Sequence, residues 1–179
     1  MKKLKTLVLG LALVALSLQF AVAASSTASH DVTLQINEIV LIDLNNTAAI
    51  TLTTNAPAAG GDNPLGDTDA TKLLQYTSLV ATGLTRKITV AWGGTDAAPT
   101  GTSLKLVASS VPAGCGTAGP QVTINNVAQD LVTGIGSCAT GTGTNGAALT
   151  YTFSIDDVTQ LVVGDNKTVT ITFTLTDAA

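Results

Sequence analysis

Residues 168–176 read Thr-Val-Thr-Ile-Thr-Phe-Thr-Leu-Thr, with a threonine at every even position and an apolar side chain at every odd one. A period of two over that length cannot serve a helix, whose faces repeat every 3.6 residues. It specifies a strand with one face buried and the other wet. The same alternation recurs in Leu149, Tyr151, Phe153 and Ile155 against Thr150, Thr152 and Ser154, and in Ile88, Val90 and Trp92 against Lys87, Thr89 and Ala91. Weaker strand-like runs lie at 48–53, 73–80, 103–108, 121–125 and 129–133. Clusters such as Gly60-Gly61-Asp62-Asn63-Pro64, Gly93-Gly94-Thr95-Asp96 and Gly141-Thr142-Gly143-Thr144-Asn145-Gly146 supply turns between them. No amphipathic run of helical length appears, and only 156–163 has room for a helical turn. The expected fold is all-β: a single immunoglobulin-like, Greek-key antiparallel sandwich of about eight or nine strands.

The first 23 residues read as an address. Lys2, Lys3 and Lys5 form a positive start, Leu7–Leu18 is an uncharged apolar run, and Ala21-Val22-Ala23 supplies a small-residue cleavage site. This is the pattern of a secretory signal peptide cut before Ala24. The apolar run falls short of the roughly 20 residues that a spanning helix needs, and no second run of membrane length follows. The mature chain is therefore expected outside the cytoplasm, secreted or on the cell surface, by way of the periplasm in a Gram-negative cell. Losing three lysines takes the net charge from −4 to −7, which excludes nucleic acid as a partner on charge grounds. Residues 24–30, Ala-Ser-Ser-Thr-Ala-Ser-His, read as a flexible arm, and 31–179 as the sandwich domain.

An exported chain with two cysteines, Cys115 and Cys138, calls for a disulfide. Closing a loop of about two dozen residues contributes roughly 3 kcal/mol in the chain-entropy model. Catalytic groupings are not found. The lone histidine, His30, falls in the arm, so no base stands ready for a nucleophile. Asp156 and Asp157 are adjacent and read as the end of a strand and the start of a turn. Asp62, Asp67 and Asp69 form an acidic loop cluster that offers oxygen ligands to Ca²⁺, but the spacing departs from an EF-hand and lacks its closing glutamate. No enzyme activity and no cofactor are expected. Tyr76, Trp92 and Tyr151 suit sugar stacking by type, but the phase of Trp92 and Tyr151 places them on buried faces. Arg86-Lys87 reads as a solvated strand start.

The longest strand-like run is Asp31–Leu44. Val32, Leu34, Ile36, Val40, Ile42 and Leu44 share one face, which Glu38 interrupts; Ile39 and Leu41 make the second half apolar on both faces. A bulge or bend near Asn37–Glu38 is expected. Such a run serves equally as the first strand of a self-contained sandwich or as a donor strand added to a neighbouring molecule.

An alternating N-terminal segment directly after a signal peptide, a threonine-rich acidic sandwich and a terminal strand such as Thr168–Thr176 together resemble fimbrial (pilin) subunits, especially the alpha-fimbrial type. The resemblance lies in pattern and rests on no diagnostic motif. It implies that residues 31–44, through Val32, Leu34, Ile36, Val40 and Ile42, fill a groove in another copy of the chain. The closing Thr174-Leu175-Thr176-Asp177 is similar, more weakly, to the end of cell-wall-binding WxL domains, whose paired Trp-x-Leu signature is missing here: Trp92 is followed by Gly93-Gly94. The expected function is that of a surface-fibre subunit assembling as a homopolymer. The alternative is a monomeric binding module for surface glycan or another extracellular ligand.

Overall fold

The computed structural model describes residues 26–178; the signal-peptide reading lies outside them. Among the described residues, 36–178 belong to one compact unit and 26–35 to another. Within the described residues, 26–38 carry no regular secondary structure and are exposed. The compact unit contains ten strands: β1 (Ile39–Leu44), β2 (Asp67–Leu79), β3 (Arg86–Trp92), β4 (Thr102–Ser109), β5 (Thr117–Ala118), β6 (Val122–Thr123), β7 (Gln129–Ile135), β8 (Cys138–Ala139), β9 (Ala147–Ile155) and β10 (Ile171–Asp177). They form two antiparallel sheets. One runs β1-β2-β9-β4-β6, with β8 also on β2; the other runs β10-β3-β7-β5. The chain is therefore a β-sandwich, and the strands beyond the expected eight or nine are two-residue pieces.

The alternation sorts side chains between the core and the two outer faces. Leu74 and Tyr76 of β2, Ile88 and Val90 of β3, Leu106 of β4, Leu131 and Val132 of β7, and Leu149 and Tyr151 of β9 are buried between the sheets. In β10, Ile171, Phe173 and Leu175 pair with Trp92, Val90 and Ile88, while Thr172, Thr174 and Thr176 point outward. Tyr76 and Tyr151 are thus core residues. Trp92 is half-buried against the same core.

Three local expectations need correction. The run 48–53 forms no strand. Its Ile50 and Leu52 pack against the core, but its backbone groups find partners outside a ladder. The buried ammonium of Lys72 donates to the Ala48 carbonyl and to Asn46 O and Oδ1, and Thr53 N–H donates to Asp67 Oδ2. The strand expected over 31–44 begins only at Ile39. The terminal strand begins at Ile171; just before it, Thr170 N–H donates to Asp96 Oδ2 instead of to a neighbouring strand.

Cys115 and Cys138 are joined in a disulfide. It ties the turn before β5 to β8, and Cys115 is buried with its carbonyl accepting from the Tyr76 hydroxyl at 2.7 Å. Replacing both cysteines with serine is expected to lower stability by about 3 kcal/mol. For a chain of this size that is a fall in Tm of roughly 6–12 °C, readable by calorimetry.

Burial pushes the Tyr76 hydroxyl up to about 12, and burial together with the nearby Asp69 carboxylate does the same for Tyr151. An unfolded tyrosine ionises near 10. The neutral form is the one the fold favours, so this stabilisation is complete below pH 10 and is lost as pH rises through about 12. The chain has two tyrosines, so absorbance at 295 nm reports both. The tyrosinate signal should stay flat through pH 10 and rise only with the loss of β circular dichroism. A titration at pH 10 with the fold intact would contradict this.

Candidate assembly site

The two ends of each sheet differ. On one side of the sandwich the outermost strands are β6 and β5, two residues each. On the other they are β1, six residues, and β10, seven. Short edge strands protect a sheet from pairing with another chain; long ones present a row of free N–H and C=O groups. Among the described residues β1 pairs only with β2, and β10 only with β3. Neither contains proline or lysine, the residues that usually guard an edge.

Between these edges lies a cleft of about 160 Å³, lined by Ile42, Asp43, Leu44, Leu74 and Phe173. Its walls follow from register. Val40, Ile42 and Leu44 lie opposite Ser78, Tyr76 and Leu74, so the even positions of β1 face the sandwich interior. Ile42 and Leu44 are half-buried against the core, and Val40 remains 46% exposed. Phe173 meets them from the facing sheet and is likewise half-buried.

Chain-adjacent to β1 is the segment carrying Val32, Leu34 and Ile36. These side chains are 67%, 89% and 90% exposed. Exposed apolar residues in isolation are ordinary; here three recur at every second position of one short segment. The five residues expected to form an assembly strand are thus divided. Val40 and Ile42 belong to β1 and pair within the chain; Val32, Leu34 and Ile36 lie outside any strand.

A cluster of charge stands where β1 begins and β2 and β10 end. Arg86 is 1% exposed, which corrects the reading of Arg86-Lys87 as a solvated strand start. Its Nε donates to Asp177 Oδ1 at 3.1 Å. Its Nη1 donates to Ile39 O at 3.0 Å, Ser78 Oγ at 3.1 Å and Leu79 O at 3.2 Å, and its Nη2 to Glu38 Oε1. A buried guanidinium needs such partners, since an unpaired buried charge is costly. Lys87 is half-exposed and pairs with Asp130 at 2.9 Å on the outer face.

The remaining candidates are not brought together into a reactive group. Among the described residues no three of His, Cys, Asp and Glu are grouped to hold a metal. Asp67 accepts from Thr53 and Thr68 N–H, Asp69 accepts from the N–H and hydroxyl of Thr71, and Asp62 lies in an exposed turn. His30 is in the exposed segment. Asp157 caps a single 3₁₀ turn, Val158–Gln160; bonds from Thr159 and Gln160 hold its carboxyl below the usual range. A shallow depression of about 430 Å³ between 64–68 and 152–155 offers Asp67 as its one ionisable residue. Tyr76 and Tyr151 are too buried to form a sugar-stacking surface.

Sequence reasoning missed Arg86, Glu38, Asp177 and Phe173 as parts of one site. The signal was present: Glu38 breaks an apolar face, and Arg86 shares the parity of Ile88, Val90 and Trp92. Comparison with known proteins returns no matching family model, no similar curated protein and no similar solved structure.

Proposed function

We propose that the mature chain is a secreted, non-enzymatic subunit of a cell-surface fibre or pilus, in which the segment 31–37 of one copy adds a strand to the sandwich of the next. The observation that carries this reading is the coexistence of a long unpaired edge at β10 with an exposed, alternating apolar segment in the same chain. The strand order favours it. An immunoglobulin-like sandwich sets strands ABED against CFG. The order β1-β2-β9-β4 reads as ABED, and β3 followed by β10 as C and F. The position of strand G, beside the free edge of β10, has no counterpart among the described residues. A strand laid there would gain ladder bonds from β10 and place alternate side chains over Phe173, Ile42 and Leu44.

Parity argues for a second copy as the donor. Folding the segment back along β1 with a two-residue turn at Asn37–Glu38 would set Ile36 opposite Ile39 and Leu34 opposite Leu41, on the outer face. Since successive side chains alternate, a shift of one residue would be needed to face the apolar set inward. That requires a turn through 37–39, but Ile39 is already paired with Leu79 and its carbonyl accepts from Arg86. No glycine is present to ease such a turn. A strand supplied by another molecule has no such restriction on register. Burying three side chains of this size contributes roughly 5–9 kcal/mol before the cost of ordering the segment.

The test is the gel behaviour of native surface extract, unboiled and boiled. A ladder that collapses to the mature mass on boiling is expected. The triple variant V32D/L34D/I36D should run as monomer in both lanes. Its substitutions fall on exposed positions, so its Tm should stay close to wild type. A triple variant that still forms the ladder, or a wild-type chain that is monomeric on the cell surface, would overturn the reading. In the monomeric case, ligand screening against glycans becomes the next step.

A further inference from the structure

We infer that Arg86 is a positioning residue for the donor segment: its buried guanidinium fixes the root of that segment to the ends of β2 and β10. This rests on the strand-donation reading above. The root is Glu38 and Ile39, two and three residues beyond Ile36, the last apolar donor position. Arg86 takes hold of both, through the Glu38 carboxylate and the Ile39 carbonyl. The same group bonds Ser78 Oγ and Leu79 O at the end of β2 and Asp177 Oδ1 at the end of β10. Five acceptors from three strands or their flanks therefore converge on one side chain of a fourth, β3.

Geometry explains why an arginine stands here. A guanidinium presents five N–H donors in a rigid plane, so the position of one acceptor constrains the others. An ammonium in its place would have three donors and no fixed plane. Glu38 and Asp177 are the replaceable partners, with side chains 65% and 81% exposed, whereas Arg86 is enclosed. Loss of Glu38 would leave the buried cation with Asp177 and its neutral acceptors, so the domain would remain folded while the root keeps only its Ile39 contact and loosens. In a fibre, load on the donor segment enters the domain at this root, and Arg86 spreads it over β2, β3 and β10.

The experiment uses the full mature chain and the variants E38A, E38Q and R86K. Two quantities are read: hydrogen exchange of the backbone amides at 38–41, and the yield of the boiling-sensitive ladder. E38A is expected to raise exchange at 38–41 about tenfold relative to wild type, with Tm nearly unchanged, and to lower ladder yield about tenfold. E38Q keeps an acceptor oxygen and should recover most of the yield. R86K should resemble E38A in the ladder and also lower Tm; if it does not fold, E38A against E38Q carries the comparison. A merely structural arginine would move Tm without separating those two variants in ladder yield. Unchanged exchange at 38–41 in E38A overturns the positioning role whether or not the chain polymerises. A loosened root with an unchanged ladder overturns it as well. A wild type without any ladder removes the strand-donation reading, and the positioning of a donor segment with it.

Discussion

One buried cation joins the two sheets at the end of the sandwich where the chain enters. Arg86 belongs to the four-stranded sheet, and so does Asp177; Ile39, Ser78 and Leu79 belong to the six-stranded one. Apolar contacts between sheets are non-directional and tolerate sliding, since burial depends on area removed from water. A planar group with fixed donors does not. Each bond is modest in net terms, about 1.5–3 kcal/mol where a charged partner is involved. Their joint effect is on specificity, because any slip of β1 against β2 or of β10 against β3 would strand the guanidinium without partners. Lys72 plays a related part toward the other end of β2, where it holds the carbonyls of Asn46 and Ala48. That contact keeps the chain after β1 against the core without adding it to a sheet.

The two sides of the sandwich have been treated differently by the sequence. At β5 and β6 the edges are cut to two residues each, and the disulfide from Cys115 to Cys138 constrains the nearby turn. At β1 and β10 the edges are long and lack guarding lysine or proline. Leaving such an edge bare is a liability for a protein that works alone, since any extended chain can pair with it. It is an asset for one that must join others. The asymmetry therefore supports assembly over monomeric ligand binding. A binding module would gain nothing from the open side, and the tyrosines suited to stacking on a sugar are enclosed.

The strict alternation in 149–155, 169–175 and 88–92 made the sheets, their inward faces and the burial of Tyr151 legible, because parity alone decides which side chain is buried. The disulfide was legible from the cysteine count and the expectation of export. The start of β1 was not. Val32, Leu34 and Ile36 continue the parity of Val40 and Ile42, and nothing in the sequence marks Ile39 as the first residue with a partner strand. Pairing depends on where β2 ends, and β2 ends at Leu79. The segment 48–53 failed for a different reason: a long-range ammonium, 24 residues away in sequence at Lys72, satisfied a carbonyl that the local pattern assigned to a ladder. Long-range capture of this kind leaves no periodic trace.

The clamp was written in the sequence, but in a form that only the topology decodes. Glu38, Ser78, Arg86 and Asp177 all occupy inward parity on their strands: Glu38 with Val40 and Ile42, Ser78 with Leu74 and Tyr76, Arg86 with Ile88 and Val90, Asp177 with Phe173 and Leu175. Taken singly, each is a polar residue at the end of a run, where solvation is the ordinary outcome. Registers place Ser78 opposite Val40 and Asp177 opposite Arg86, so the four become one polar layer capping an apolar core. The guanidinium alone would be stranded at a buried position, and the two carboxylates, largely exposed themselves, reach in to meet it. The polar layer thus lies where the exposed segment ending at Glu38 meets β1. An apolar residue at position 38 would extend the exposed apolar alternation into the core face and leave the buried guanidinium without that carboxylate. A charged residue with a single buried partner thus stands one residue before the first paired position of β1, Ile39.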